Sequence, residues 1–148
     1  MTGLRSFLRR HRRIAIDTSV FIYELEANPR YVALADEIFS WLEEPRHTAV
    51  TSTITMTELL VQPYRDGEEP RVDRFYGLLA TYPNLEWVAP DLEVADIAAR
   101  VRAVHRLRTP DALQAATAIR SQATGMVTNN SAFERLKGFE TLVLDRTL

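Results

Sequence analysis

Apolar positions along this chain follow two rhythms: short runs of three or four, and longer stretches spaced at three and four residues. Leu4, Phe7 and Leu8 fall at i, i+3 and i+4, which predicts a short amphipathic helix over residues 3–11. Ile14-Ala15-Ile16 reads as a buried strand ended by Asp17-Thr18-Ser19, and Val20-Phe21-Ile22-Tyr23 opens an apolar segment that turns helical before Pro29 breaks it. Apolar residues at 31, 34, 35, 38, 39, 41 and 42 predict a helix from Tyr31 to Glu44. Thr48 to Thr51 has the β-branching of a second strand. Ser52 or Thr53 then caps a helix from Ile54 to Val61, Pro63 stops it, and residues 62–70 form a polar loop.

The second half continues the alternation. Val72 to Tyr82 reads as a helix, Leu85 to Val88 as a third strand, and Leu92 to Leu107 as a long helix. Thr109-Pro110-Asp111 is a helix start, with threonine as cap and proline at the first helical position. The alanine-rich stretch that follows has little bulk, so its helix packs close to its neighbours. Gly125 to Thr128 predicts a fourth strand, residues 131–136 a short helix, and Thr141 to Leu144 a fifth strand. Strands alternating with helices imply an α/β fold with a mostly parallel sheet of roughly five strands.

The 148 residues fit one domain, and no internal repeat or linker interrupts them. No cysteine is present, which removes disulfides, thiolate zinc sites and thiol nucleophiles together and is compatible with a reducing compartment. The formal charge of −2 hides an asymmetry. Residues 1–13 carry five arginines and no acid, while the rest of the chain sets 20 acids against 13 basic residues. An acidic body suits a cluster of carboxylates that binds cations, and a basic arm suits a polyanion. A solvated, fraying N-terminus is the simpler reading of residues 1–13. The stretch from Ile14 to Leu25 contains Asp17 and Glu24 and no small-residue cleavage pattern, so the basic start is not read as a signal peptide. No apolar run reaches the roughly 18 residues of a membrane span. The expectation is a soluble, uncleaved, cytoplasmic protein.

Ligands of open α/β sheets sit beyond the carboxyl ends of the strands. Asp17 falls directly after the first strand, Glu58 on the helix after the second, Asp111 at the start of the alanine-rich helix, and Asn130 just after the fourth strand. Carboxylates converging at one end of a sheet repel one another unless cations lie between them. Mg²⁺ meets that need, because it takes oxygen ligands, keeps several waters and uses only one or two carboxylates per ion.

Each residue also has a plainer reading. Asp17 can begin an Asx-turn or cap the next helix; Asp111 sits where a helix dipole favours an acid; Glu58 can be a surface residue; Asn130 can be a turn residue. His11, His47 and His105 lack metal-ligand spacing, Trp41 and Trp87 read as core, and no Gly-rich phosphate loop is present.

Four segments in series resemble the PIN-domain family, and within it the VapC-type toxin ribonucleases of toxin–antitoxin systems. They are Ile16-Asp17-Thr18-Ser19-Val20, Thr55-Met56-Thr57-Glu58-Leu59, the run from Asp111 to Ala118, and Val127-Thr128-Asn129-Asn130 with Phe133. The resemblance implies a PIN-like three-layer α/β/α domain with Asp17, Glu58 and Asp111 as metal ligands. It implies that Thr18, Ser19 or Thr128 hydrogen-bonds those carboxylates or a bound phosphate. It further implies Mg²⁺- or Mn²⁺-dependent hydrolysis of RNA by an activated water, a homodimer, and an antitoxin that blocks the acidic groove.

The chain departs from the family pattern at Asn130, where an aspartate is common, and at Ala132, where another acid often stands. Asparagine still offers a carbonyl oxygen or holds a water, but the site carries one charge fewer. Two readings follow: an active endoribonuclease, or a catalytically weak PIN domain that acts as an RNA- or protein-binding module. A phosphatase of the haloacid dehalogenase type needs a second aspartate where Ser19 stands, and Lys137 lies too near the C-terminus to serve it.

Overall fold

The computed structural model describes residues 2–148. Its elements run α1 (Thr2–Arg9), β1 (Arg13–Ile16), α2 (Thr18–Leu25), α3 (Val32–Leu42), β2 (Thr48–Ser52), α4 (Ile54–Arg65) and α5 (Glu69–Thr81). Then follow β3 (Leu85–Val88), α6 (Leu92–His105), α7 (Thr109–Arg120), β4 (Gly125–Thr128) and β5 (Glu140–Val143), with 3-10 turns at Ser131–Arg135 and Leu144–Thr147.

The five strands form one sheet in the order β3-β2-β1-β4-β5, and every described pairing is parallel. The pleat sends alternate side chains to opposite faces. Ile14, Ile16, Ala49 and Val127 point into one core with α1 to α5, while Ala15, Val50 and Met126 point into a second core with α6 and α7. Parallel strands covered on both faces read as near-continuous apolar runs, which is why Ile-Ala-Ile carried no alternation in the sequence. The strand order reverses direction between β1 and β4, and that switch point places the ends of the two strands beside a crevice. No described helix is long and apolar enough to cross a membrane.

Three expectations need correction. Residues 2–13 are not a fraying arm, and Met1 lies outside the described residues. Leu4, Phe7 and Leu8 are almost fully buried, so burial of the apolar face of α1 outweighs the solvation of its arginines. Arg5, Arg10 and Arg13 pair with Glu37, Glu140 and Glu86 and so are engaged within the fold.

Pro63 does not stop α4. It lies two residues before the last residue of the helix, where its missing N–H removes a single late hydrogen bond, and its buried ring adds to the packing. Glu68 N–H then closes on the Pro63 carbonyl with Gly67 in the left-handed region, so the polar loop shrinks to a tight turn before α5. Finally, α7 begins one residue early: Arg108 occupies the cap position and Thr109 is already helical. Of the two proposed caps of α4, the Ser52 hydroxyl is the one that accepts, from Ile54 N–H at 3.2 Å.

Candidate active site

A pocket of about 250 Å³ opens at the carboxyl end of the sheet, lined by Asp17, Thr18, Ser19, Glu58, Asp111 and Asn130 together with Arg108. Six of the seven site residues expected from sequence therefore meet there. The seventh, Thr128, lies fully buried behind the pocket and touches Asp17.

Asp17 follows β1 directly because the strand ends at Ile16 and the chain turns into α2. Its carboxylate caps that helix, with Oδ1 accepting from Thr18 N–H at 2.8 Å. Oδ2 accepts from the Thr128 hydroxyl at 2.7 Å. The plainer reading of Asp17 as a helix cap is thus true, and the same carboxylate lines the pocket. Burial pushes its pKa up to about 6; the two hydrogen bonds work against that, and the charges of Asp111 and Glu58 add to it.

Glu58 stands on the first turns of α4 and is exposed, with Oε1 accepting from the Thr18 hydroxyl at 2.7 Å. Asp111 occupies the first turn of α7 and is buried. Its Oδ2 accepts from Arg108 Nε at 3.2 Å and, at a long 3.4 Å, from the Asn130 amide. Asn130 caps the following 3-10 turn through its own side-chain oxygen, which accepts from Ala132 N–H at 3.0 Å. Its oxygen is therefore engaged locally and its amide faces Asp111, so Asn130 acts on the pocket as a donor. Ser19 Oγ is buried and has no hydrogen-bond partner.

These donors suit a hard divalent cation. The carboxylates and hydroxyls offer oxygens, no cysteine or histidine lines the pocket, the Ser19 hydroxyl has no partner, and among the described lining residues the carboxylates meet no cation besides Arg108. Among the described residues no three acidic or histidine side chains form a ready-made metal cage. Mg²⁺ does not require one, since it retains several waters and is held by one or two carboxylates.

Sequence reasoning missed Arg108, and it missed Thr51, Thr55 and Gln114, which form a buried polar cluster under the pocket. The signal was available in helical spacing. Arg108 and Gln114 lie three residues either side of Asp111, and Thr55 lies three before Glu58, so each pair shares a helix face.

A family profile described as "PIN domain" matches residues 14–138. The chain belongs to the PIN-domain family. Solved structures with this PIN fold include a chain of VapBC2 from Rickettsia felis bound to a DNA fragment from its promoter. That chain is 18% identical with a TM-score of 0.69, over 88% of this chain and 98% of that one. A toxin–antitoxin complex from Klebsiella pneumoniae contributes a chain with 21% identity and a TM-score of 0.66, covering 88% and 96%. VapBC-5 from Mycobacterium tuberculosis gives 22% identity and a TM-score of 0.60, covering 89% and 98%. At such identities the likeness speaks for the fold. A comparison with curated proteins found no match.

Proposed function

We propose that this PIN domain is a Mg²⁺- or Mn²⁺-dependent endoribonuclease, and that it is the toxin of a toxin–antitoxin pair. The observation that carries the reading is the convergence of Asp17, Glu58 and Asp111 on one pocket at the sheet's switch point, with Asp17 held up to about 6 there. When bound, the metal would neutralise charge at a scissile phosphate and lower the pKa of a water so that it can lose a proton and act as the nucleophile. The chain's own residues do the rest. Asp17, Asp111 and Glu58, which line one pocket, would hold the cation, and the unpartnered Ser19 hydroxyl would donate to a phosphate oxygen. Thr128 keeps Asp17 in place. The neighbours named as VapBC or toxin–antitoxin complexes support an antitoxin as partner, and the homodimer is proposed on the family resemblance alone.

One observation favours a second reading, a weakly catalytic RNA- or protein-binding module. Asn130 contributes an amide where a fourth carboxylate would add charge, and its oxygen is engaged by Ala132. One assay decides between the two: cleavage of structured and unstructured RNAs with Mg²⁺, Mn²⁺ or EDTA, using wild type, Asp17→Ala, Asp111→Ala and Asn130→Asp. The nuclease reading expects metal-dependent cleavage that both alanine variants reduce by about 100-fold or more. No cleavage by folded wild type, with RNA binding intact and cleavage gained in Asn130→Asp, would establish the module.

A further inference from the structure

We propose that Gln114 is a positioning residue of this site, whose buried amide fixes the direction of the Thr18 hydroxyl and through it the place of the Glu58 carboxylate. The inference rests on the reading of Glu58 as a metal ligand.

Gln114 lies on α7 at 2% exposure, packed against Thr51 and Thr55, both at 0%, and Thr18 at 6%. Burying four polar side chains under an apolar sheet is costly unless each finds a partner. Here a single arrangement of protons satisfies them all. The Glu58 carboxylate only accepts, so the Thr18 hydroxyl donates to it at 2.7 Å. Thr18 Oγ is then an acceptor for its remaining contacts, and Gln114 Nε2 donates to it at 3.3 Å.

The other hydrogen of Nε2 goes to Thr55 Oγ at 2.7 Å, and because Thr51 gives its one proton to a backbone carbonyl, the Thr55 hydroxyl is the donor to Thr51 Oγ at 2.7 Å. Thr51 in turn donates to the Ile16 carbonyl at 2.8 Å, on the last residue of β1 beside Asp17. Gln114 Oε1 accepts from Ser52 N–H at 3.3 Å, at the end of β2. The chain of bonds runs from one strand end, through α7 and α4, to the carboxylate at the pocket.

The orientation of the amide decides the outcome. Turned over, Gln114 would set its oxygen against Thr18 and Thr55 and its NH₂ against Ser52 N–H. The Ser52 donor would be buried without a partner, and the Thr18 proton would be drawn to Gln114 and away from Glu58. Ser52 N–H therefore locks the amide, the amide makes Thr18 Oγ an acceptor, and the Thr18 proton is left for Glu58. Without that tether the Glu58 side chain, which is exposed, is free to leave the pocket.

The test is a Mn²⁺ titration of the metal-free full chain, read by electron paramagnetic resonance, with folding of each variant checked by thermal unfolding. Thr18→Val and Gln114→Met are each expected to weaken Mn²⁺ binding by about tenfold, the usual effect of removing a group that orients a metal ligand. The double variant should bind no more weakly than Thr18→Val alone, and Thr18→Ser, which keeps the hydroxyl, should restore what Thr18→Val loses. Wild-type affinity in folded Gln114→Met, or an equal further loss when it is added to Thr18→Val, overturns the proposal. Should Gln114→Met not fold, the wild type answers by NMR. The Gln114 side-chain amide protons are expected to shift when Mg²⁺ is added, and signals indifferent to Mg²⁺ overturn it. If the wild type binds no Mn²⁺, or Asp17→Ala binds as tightly, the metal-site reading fails and takes this inference with it.

Discussion

The two ends of the sheet treat carboxylates in opposite ways. At the amino end, Glu86 takes both nitrogens of the Arg13 fork, at 3.2 and 2.7 Å, and Glu140 takes Arg10 at 3.2 and 2.6 Å with His11 at 2.6 Å. Arg13 holds Glu86 below the usual carboxylate range, and Arg10 does the same for Glu140. At the carboxyl end, Asp17 is pushed up to about 6 by burial and by the neighbouring acids. The chain possesses enough arginine to neutralise such a cluster, and it spends that arginine elsewhere. A fold that pairs its acids at one end and leaves them crowded at the other has a place for a cation from solution.

The strongest way to break this comparison is Asp17→Asn. In the metal-free protein, the folded state holds a proton on Asp17 between its ordinary value of 3.8 and about 6, where the unfolded chain has released it. The stability this group contributes is therefore full below about pH 4 and is lost as pH rises through about 6, a span of at most roughly 3 kcal/mol. Asparagine carries no charge, so the variant should be more stable than wild type above pH 6 by up to that amount, while RNA cleavage falls about 100-fold or more. Urea unfolding in EDTA from pH 4 to pH 8 measures the first effect. An asparagine variant less stable than wild type at pH 7.5 would show that Asp17 is a structural cap, and the contrast between the ends would lose its meaning.

The amino end offers the converse. Glu140→Gln removes the charge shared by Arg10 and His11, which lie between α1 and β1 at the amino end of the sheet and do not line the pocket. The half-exposed Arg10–Glu140 pair contributes under about 1 kcal/mol, and glutamine still offers the buried His11 an acceptor, so unfolding free energy should drop by about that much. Mg²⁺ affinity, measured by calorimetry, should not move. A change in Mg²⁺ affinity would mean that the two ends are coupled through the sheet.

How much of this was legible beforehand follows from the same physics. The strands were readable because a doubly covered parallel sheet demands apolar runs, and Ile-Ala-Ile or Gly-Met-Val leave few alternatives. Asp17 and Asn130 were readable because topology alone puts residues just after β1 and β4 in one crevice, whereas Glu58 and Asp111 stand on the first turns of α4 and α7. The N-terminal helix was read correctly as an element and wrongly as an arm, since five arginines outweigh three apolar residues in composition but not in burial. Pro63 misled because its cost depends on how near the helix end lies, which tertiary packing decides. Asn130 has a turn reading and a site reading, and the structure bears out the first, a cap, while setting its amide against Asp111 in the pocket. The polar cluster of Thr51, Thr55 and Gln114 was hidden for a different reason. Each residue is ordinary in its own helix or strand, and only their meeting at 2.7 Å makes them a unit.

Arg108 is the point where the comparison is least clean, because among the described residues that line the pocket it is the one cation. Its side chain is 76% exposed, and its Nε donates to Asp111 Oδ2 at 3.2 Å. The acids Asp111, Glu58 and Asp17 all hold its guanidinium in the charged form. A solvent-exposed arginine is a weak partner, screened by water and salt. It stands in for the missing counterion without filling its place, and an incoming cation has to displace it from Asp111. Arg108→Ala should therefore tighten Mg²⁺ binding, by about two- to fivefold at low salt and by less at 0.5 M salt. Calorimetric titration at the two ionic strengths measures this. Weaker Mg²⁺ binding in the alanine variant would show instead that Arg108 orients Asp111 for the metal, which would make it part of the site and not a placeholder within it.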